Sequence, residues 1–332
     1  MKKNENPVLG LDVGTSRIVL ARKSGDDFTF ESQLNAFTTV EHSRMIESAL
    51  KRDQIPFSVE NTQLFIHGNE APRFADLLST ETRRPMTQGV INPSEIESVT
   101  VIRRIIESLT RHADGARPKL TFSVPASPLN GEESLTYHEA TLRQIFDELG
   151  YDVRSINEGL AVIYSELEDT NYTGIGISFG GGLVNVSLAW LAMPVLSFSI
   201  PKAGDFIDAS TASVTGDLST RVRLAKEATF HFNGHFTDQL HQVLTVYYED
   251  MIHSIISAMK EAFSDSKRMP KLTKPVPVVL SGGTASPAGF RERFEKMLQL
   301  TEFPVSVSEI RVARDPHTTT ARGALISALT EM

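Results

Sequence analysis

Apolar positions along this chain switch between a step of two and a step of three or four, and the switches predict an alternation of strands and helices. Val8–Ala21 reads as a β hairpin, and Asp27–Glu31 as a further strand. Glu41–Lys51 predicts a helix with Met45, Ile46 and Leu50 on one side. Gln63–His67 predicts a short strand, and Gly68–Leu78 turns helical after Pro72. Pro85–Asn92 reads as loop and turn. Ser94 is a candidate cap for an amphipathic helix carrying Val99, Ile102, Ile106 and Leu109, which His112–Pro118 interrupts. Leu120–Val124 predicts a strand. Ser134–Leu149 predicts a helix ending at Gly150, a favourable C-terminal cap. Val153–Ile156 reads as a strand and Glu158–Glu166 as a helix. Downstream, strands are predicted at Gly174–Trp190 (a second hairpin), Val195–Ile200 and Pro277–Leu280. Helices are predicted at Thr220–Ala228, Leu240–Phe263, from Phe290 through Leu298, and Thr319–Leu329.

The two hairpins look like copies of one device. VLGLDVGTSRIVLA (Val8–Ala21) and GIGISFGGGLVNVSLAW (Gly174–Trp190) are each a β run, a small-residue turn and a second β run. Setting Asp12-Val13-Gly14 on Ser178-Phe179-Gly180 gives an offset of 166 residues, half of the 332. A strand–Gly turn–strand unit repeated at that spacing predicts two similar α/β lobes whose turns face one cleft. Successive free N–H groups in such turns form anion-binding nests.

Composition narrows the function. The hydrophobic fraction of 40% and charged fraction of 22% are those of a globular protein. A net charge of −8 without a dense Lys/Arg run argues against a nucleic-acid partner. Zero Cys excludes disulfides, thiolate metal sites and Cys nucleophiles, and fits a reducing, cytoplasmic location. The nine His show no metal-ligand spacing. The start, MKKNENP, lacks an apolar signal core, and no apolar run is long enough to span a bilayer.

Five segments occur in order: DVGTSRI (Asp12–Ile18), SINEGLAVI (Ser155–Ile163), ISFGGGLVNV (Ile177–Val186), VVLSGGTASPAGF (Val278–Phe290) and ARDPHTTTARGAL (Ala313–Leu325). Together they resemble the nucleotide site of the actin, heat-shock chaperone and sugar kinase superfamily. The chain is most similar there to bacterial actins of the MreB type, through IHGNEAPRF (Ile66–Phe74), RRPMTQGVI (Arg83–Ile91) and Asp315–Ala324. The DVGTS turn is equally similar to the division actin FtsA. Asp27–Asn61 matches no MreB pattern, and Asp208–His235 is short for a second small subdomain. The resemblance implies an actin-like fold. Lobe I would comprise 1–158 plus 311–332, with a small subdomain at about 31–84. Lobe II would comprise 159–310, with a shortened subdomain at about 206–239.

The same resemblance implies ATP and Mg²⁺ as cofactors and assigns residues to them. Asp12 would hold the Mg²⁺, through water, because Mg²⁺ keeps much of its hydration shell. Gly14, Thr15 and Ser16 would grip phosphates from one side, and Gly180, Gly181 and Gly182 from the other. Gly282, Gly283 and Thr284 would pass close to the nucleoside. Gly204 and the pair Lys226 and Glu227 complete the nucleotide set, and Glu158 would orient the attacking water. Other readings stand beside these: Asp12 as a turn former, Glu158 as a helix-starting carboxylate, and Lys226 and Glu227 as a solvated helix face. Arg17 reads as a surface strand residue.

The second turn departs from the family's D-x-G-G-G-T, with Ser178 for the Asp and Leu183 for the Thr, and Gly159 follows Glu158 where Pro is usual. Phosphoryl transfer depends on positioning and charge stabilisation, so these losses predict ATP binding with slow or absent hydrolysis. The resemblance implies a self-partnering, filament-forming protein. A chaperone reading lacks a peptide-binding domain after Met332. A small-molecule kinase reading lacks a base, since Ser178 is a poor one. A non-polymerising adaptor of the division or pilus type is the remaining alternative. Membrane insertion is not expected. His112–Arg117, the position of a lipid-entering loop in MreB, carries no large apolar side chain, and burying its Asp or Arg would cost roughly 2.5–3.5 kcal/mol each.

Overall fold

The computed structural model describes residues 7–110, 117–129, 135–264, 272 and 274–330. The lipid-loop expectation at 112–116 and the first six residues of MKKNENP lie outside them. Val8–Val13 (β1), Arg17–Ser24 (β2) and Asp27–Leu34 (β3) form an antiparallel meander. The chain then leaves that sheet. Phe37–Glu41 (β4), Arg44–Arg52 (α1), Phe57–Glu60 (β5), Gln63–His67 (β6) and Ala71–Leu78 (α2) build a small layer on a three-stranded sheet of order β4-β6-β5. Met86–Thr87 (β7) and Val90–Ile91 (β8) make a short hairpin. Ser98–Thr110 (α3), Lys119–Val124 (β9), Thr136–Glu148 (α4), Asp152–Asn157 (β10) and Glu158–Glu166 (α5) complete the first half. The main sheet runs β10-β9-β1-β2-β3.

The second half repeats the plan. Gly174–Phe179 (β11), Val184–Trp190 (β12) and Met193–Ile200 (β13) form a meander. Gly204–Thr215 (α6), Ser219–Thr229 (α7) and Gln239–Phe263 (α8) follow. Then come Val276–Ser281 (β14), Phe290–Gln299 (α9), Val307–Val312 (β15) and Thr319–Thr330 (α10). The sheet order β13-β12-β11-β14-β15 is that of the first sheet, strand for strand. The register repeats too. Asp12 faces Val19 across the first hairpin and Ser178 faces Asn185 across the second. The predicted duplication is therefore present in topology and at the predicted offset.

Each lobe has its own core, and a third apolar cluster joins them. The first core packs β1, β2 and β9 against α3 and α4 through Leu11, Ile102, Phe122 and Phe146. The second packs β11, β12 and β14 against α8 and α9 through Ile177, Val186, Ile255 and Phe294. Between them α5 and α10 cross, with Ala161, Val162 and Ala324 buried. Gly323 is needed at the crossing, because a Cβ there would overlap the Ala161 carbonyl. Gly10 and Gly176, again 166 apart, let α10 lie on β1 and α5 lie on β11.

Local expectations differ from the structure in three places. Glu41 ends a strand instead of opening a helix, and Met45 is 82% exposed, because in the short α1 Leu50 is the residue that turns inward. The helix after Ser94 starts at Ser98. The Ser98 side chain bonds the Asn92 carbonyl and closes residues 92–97 into a turn first. Strands β4 and β15 lack the clean alternation that would announce them, and β5 alternates over only four residues. Residues 206–239, where a shortened second subdomain is expected, hold most of α6, α7 and a coil to Asp238, without a strand.

Two buried histidines each oppose folding as pH falls. His67 and His138 are 1% and 2% exposed, and burial pushes both down to about 4. His138 Nδ1 accepts the Ile91 N–H at 3.3 Å, a bond that requires an unprotonated Nδ1. In the unfolded chain each titrates near its ordinary 6.5. As pH falls from 6.5 towards 4, the unfolded state takes up protons that the folded state refuses, so stability falls; above 6.5 this contribution is flat. Each histidine should cost roughly 1.4 kcal/mol per pH unit inside that window. Burial raises Asp12, Glu158 and Asp208, which works the opposite way, so the histidine contribution is read as a difference: in urea unfolding at pH 7.5, 6 and 5, the stability of His138→Gln relative to the native protein should rise as pH falls.

Candidate functional site

The ends of β1 and β11 point into one cavity of about 680 Å³ between the lobes, a volume suited to a small ligand such as a nucleotide. Every residue singled out from the sequence lines it: Asp12, Gly14, Thr15, Ser16, Glu158, Gly180, Gly181, Gly182, Gly204, Lys226, Glu227, Gly282, Gly283 and Thr284. Arg17, read as a surface residue, lines it as well. The two Gly turns touch. Thr15 Oγ1 accepts the Gly89 N–H at 3.1 Å, and Gly182 lies so close that a Cβ would stand 2.5 Å from Gly89 N and 2.6 Å from Thr15 Oγ1. The amides of Thr15, Ser16, Gly181 and Gly182 carry no hydrogen bond among the described residues. Four free donors around one space are the nest expected for an anion.

Two carboxylates stand beside these donors. Asp12 accepts a 2.6 Å bond from Ser123 Oγ, and that oxygen accepts the Val13 N–H. Glu158 is the first residue of α5, fixed by Asn157, whose side chain caps the helix at Gly159 N. Glu158 Oε2 accepts from Ser178 Oγ at 3.1 Å and from Asn185 Nδ2 at 3.0 Å. Burial pushes both acids up, and the Asp12 charge pushes Glu158 further. No Lys or Arg pairs with either among the described residues. Two desolvated acids of like charge, next to free N–H donors, fit a divalent cation carrying an anionic ligand.

The far wall is built from lobe II. The Gly204 N–H reaches the Gly180 carbonyl, and Thr284 Oγ1 donates to the same carbonyl at 2.8 Å. The Lys226 ammonium is buried. It meets Asp208 at 2.7 Å and the Gly204 carbonyl at 3.2 Å, so it ties α7 to the start of α6. Burial raises Asp208 to about 6, with Lys226 pulling the other way. Gly282, at φ +94, turns the chain past the Phe179 backbone. Phe230 and Tyr248 stack at 4.7 Å and 5° on the cavity wall.

Several working residues escape sequence reasoning. Asn185 is fully buried, holds Glu158, and takes the Ala126 N–H on its carbonyl oxygen. An Asn inside the apolar run VNVSLAW was the available signal. Ser123, in LTFSVP, gave a similar one. Arg84 bonds Asp205 at 2.8 Å across the two lobes, and nothing local in the sequence pairs them.

This architecture, with its duplicated lobes and shared cleft, is the actin-like fold. MamK in a double helical filament superposes with a TM-score of 0.72 at 19% identity, covering 99% of both chains. A non-polymerising MamK mutant bound to AMPPNP gives 0.62 at 17%, over 98% of this chain and 99% of the other. The ethanolamine utilization protein EutJ from Carboxydothermus hydrogenoformans gives 0.58 at 15%, over 98% and 92%. The Volactin profile matches residues 8–328, and the chain belongs to the Volactin family. No curated protein sequence matches it.

The close approach at Gly182 makes a direct test. Gly182→Ala should push residues 88–89 off the second turn and break the Thr15–Gly89 bond. Small-angle scattering should show a larger radius of gyration, and proteolysis should cut faster at 83–91. An unchanged scattering curve would mean the lobes do not meet there in solution.

Proposed function

We propose that this chain is an ATP-binding actin homologue that assembles into filaments and hydrolyses its nucleotide slowly. The observation that carries the reading is the pair of facing Gly turns, with free N–H donors, beside the half-buried Asp12 and Glu158. Phosphates would lie on the donors of Thr15, Ser16, Gly181 and Gly182. Asp12 and Glu158 would hold Mg²⁺, which when bound screens the phosphate charge. The nucleoside would lie against Gly282, Gly283 and Thr284, with Glu227 at its edge and Phe230 and Tyr248 behind. Lobe I is assigned to 1–158 plus 311–332 and lobe II to 159–310, joined by α5 and α10. Within the superfamily, Ile66–Phe74, Arg83–Ile91 and Asp315–Ala324 keep their likeness to MreB.

Slow hydrolysis follows from what Ser178 and Leu183 do. Ser178 spends its hydroxyl on Glu158 and brings no charge. Leu183 is buried and packs on Gly89, so it offers a phosphate nothing. Glu158 gives Oε2 to two donors, Ser178 and Asn185, which leaves that oxygen a weaker base towards water. Among the described residues no helix is long and apolar enough to cross a membrane, and assembly without lipid in the cytoplasm fits the reading.

Calorimetry should detect Mg-ATP binding, and Asp12→Ala should weaken it at least tenfold, about 1.4 kcal/mol. No heat of binding with the native protein would sink the proposal. Ser178→Asp combined with Leu183→Thr should raise phosphate release several-fold above the native protein. A native rate already equal to that of an active bacterial actin would show that other groups have taken over the missing roles.

A further inference from the structure

The duplication sets Arg17 of the first turn against Leu183 of the second, again 166 residues apart. Arg17 opens β2, and Leu183 stands just before β12. The carbonyl of each accepts the N–H of the Gly that opens its own turn, Gly14 and Gly180, both at 3.0 Å. Both residues line the cavity. The two turns thus share a backbone pattern and differ in what they present. Leu183 packs its side chain on Gly89, whereas Arg17 brings a guanidinium.

Strand register decides which way Arg17 faces. Asp12 stands opposite Val19 in the β1–β2 hairpin, so their side chains share one face of the sheet. Arg17 lies two residues before Val19 and is on that face too. Val13 and Ile18, of the other parity, are buried in the lobe I core. Asp12, Val19 and Arg17 all line the cavity, as does Thr320 in the first turn of α10. Charge marks Arg17 out further. Among the described residues its side chain has neither a carboxylate partner nor a hydrogen bond, whereas Arg22 on the same strand is paired with Glu31. Of the other basic side chains on the cavity wall, Lys226 is taken by Asp208. Arg223 stands on α7 with Lys226 and Glu227, at the end assigned above to the nucleoside. Arg17 follows directly on Thr15 and Ser16, whose amides are free. Positive character gathered in this way is unfavourable until an anion enters.

We propose that Arg17 reads the terminal phosphate of the bound nucleotide and makes the site prefer a triphosphate to a diphosphate. The inference rests on the nucleotide reading above and adds a residue to it. The amides of the two turns hold the inner phosphates. The terminal phosphate carries the greatest charge and three free oxygens, and a guanidinium matches that geometry with two parallel N–H···O bonds. Where the second turn presents an isobutyl group at Leu183, the first presents a cation at the equivalent position. The polar contact missing from one half of the duplicated device is in this way supplied by the other.

Displacement of a fluorescent ADP analogue measures Mg-AMPPNP and Mg-ADP affinities on the full chain, at protein concentrations where light scattering shows no polymer. The native protein should favour Mg-AMPPNP. Arg17→Ala should weaken Mg-AMPPNP about tenfold, the effect of one charge-assisted contact, and leave Mg-ADP nearly unchanged. Arg17→Lys keeps the charge without the fork and should recover part of the preference. Because Arg17 is exposed, the melting temperature of both variants without nucleotide should match the native one. Arg223→Ala should move both affinities together and leave their ratio. An Arg17→Ala protein with the native ratio, or a native protein that binds the two nucleotides equally, would overturn the role of Arg17 and leave nucleotide binding standing. A ratio that falls equally in Arg223→Ala would show a general effect of cavity charge and overturn the assignment to Arg17. A native protein that binds neither nucleotide by calorimetry would overturn the nucleotide reading and this inference with it.

Discussion

The crossing of α5 and α10 is the constraint on which the remaining geometry depends. Each helix follows the last strand of its own sheet and packs on the first strand of the other, α10 on β1 and α5 on β11. That exchange requires two helix backbones and two strands to approach more closely than side chains allow. Gly323 against the Ala161 carbonyl, Gly10 under α10 and Gly176 under α5 meet the requirement. Because the crossing fixes β1 and β11 relative to each other, it fixes the turns at their ends. Asp12 and Ser178 therefore arrive at the same cavity from opposite sheets. Overpacking such a contact costs of order 1–3 kcal/mol, a large part of a domain's net stability.

Electrostatics at the cleft run against stability. Asp12 and Glu158 lie half-buried side by side without a basic partner among the described residues, and desolvation pushes both carboxyls up. The surroundings answer with polar bonds: Ser123 on Asp12, Ser178 and Asn185 on Glu158. Such bonds orient a carboxylate but do not neutralise it. An arrangement of this sort persists where a cation is to be bound, because the binding energy offsets the desolvation.

The duplicated frame was legible because a Gly turn between two β runs is a local signal and recurs at half the chain length. The site was legible in outline for the same reason, since turn and connector residues are contiguous in sequence. Asn185 and Ser123 were not, because each acts across a sheet register that only folding creates. Arg84 and Asp205 meet from different lobes, and no local pattern foretells their pairing. Lys226 lines the same cavity as the other candidate residues, yet its ammonium serves Asp208 and Gly204, a role set by how α7 packs on α6. The α1 reading failed through an excess of apolar residues: a nine-residue helix over a small sheet buries one leucine, and Met45 is left in solvent.

Leu183 links these threads. Under the proposed nucleotide reading, a hydroxyl at that position would face a phosphate, and its hold on lobe I would pass through the ligand. The leucine instead lies on Gly89, next to the Thr15–Gly89 bond and within the same interface as the Arg84–Asp205 ion pair. Apolar contact needs no ligand and is indifferent to the state of a phosphate chain. The closed arrangement of the lobes is thus supported by protein contacts made before any phosphate enters. Under that reading, Leu in place of the family's Thr removes a hydroxyl from the phosphate site and adds an apolar contact between the turn and Gly89.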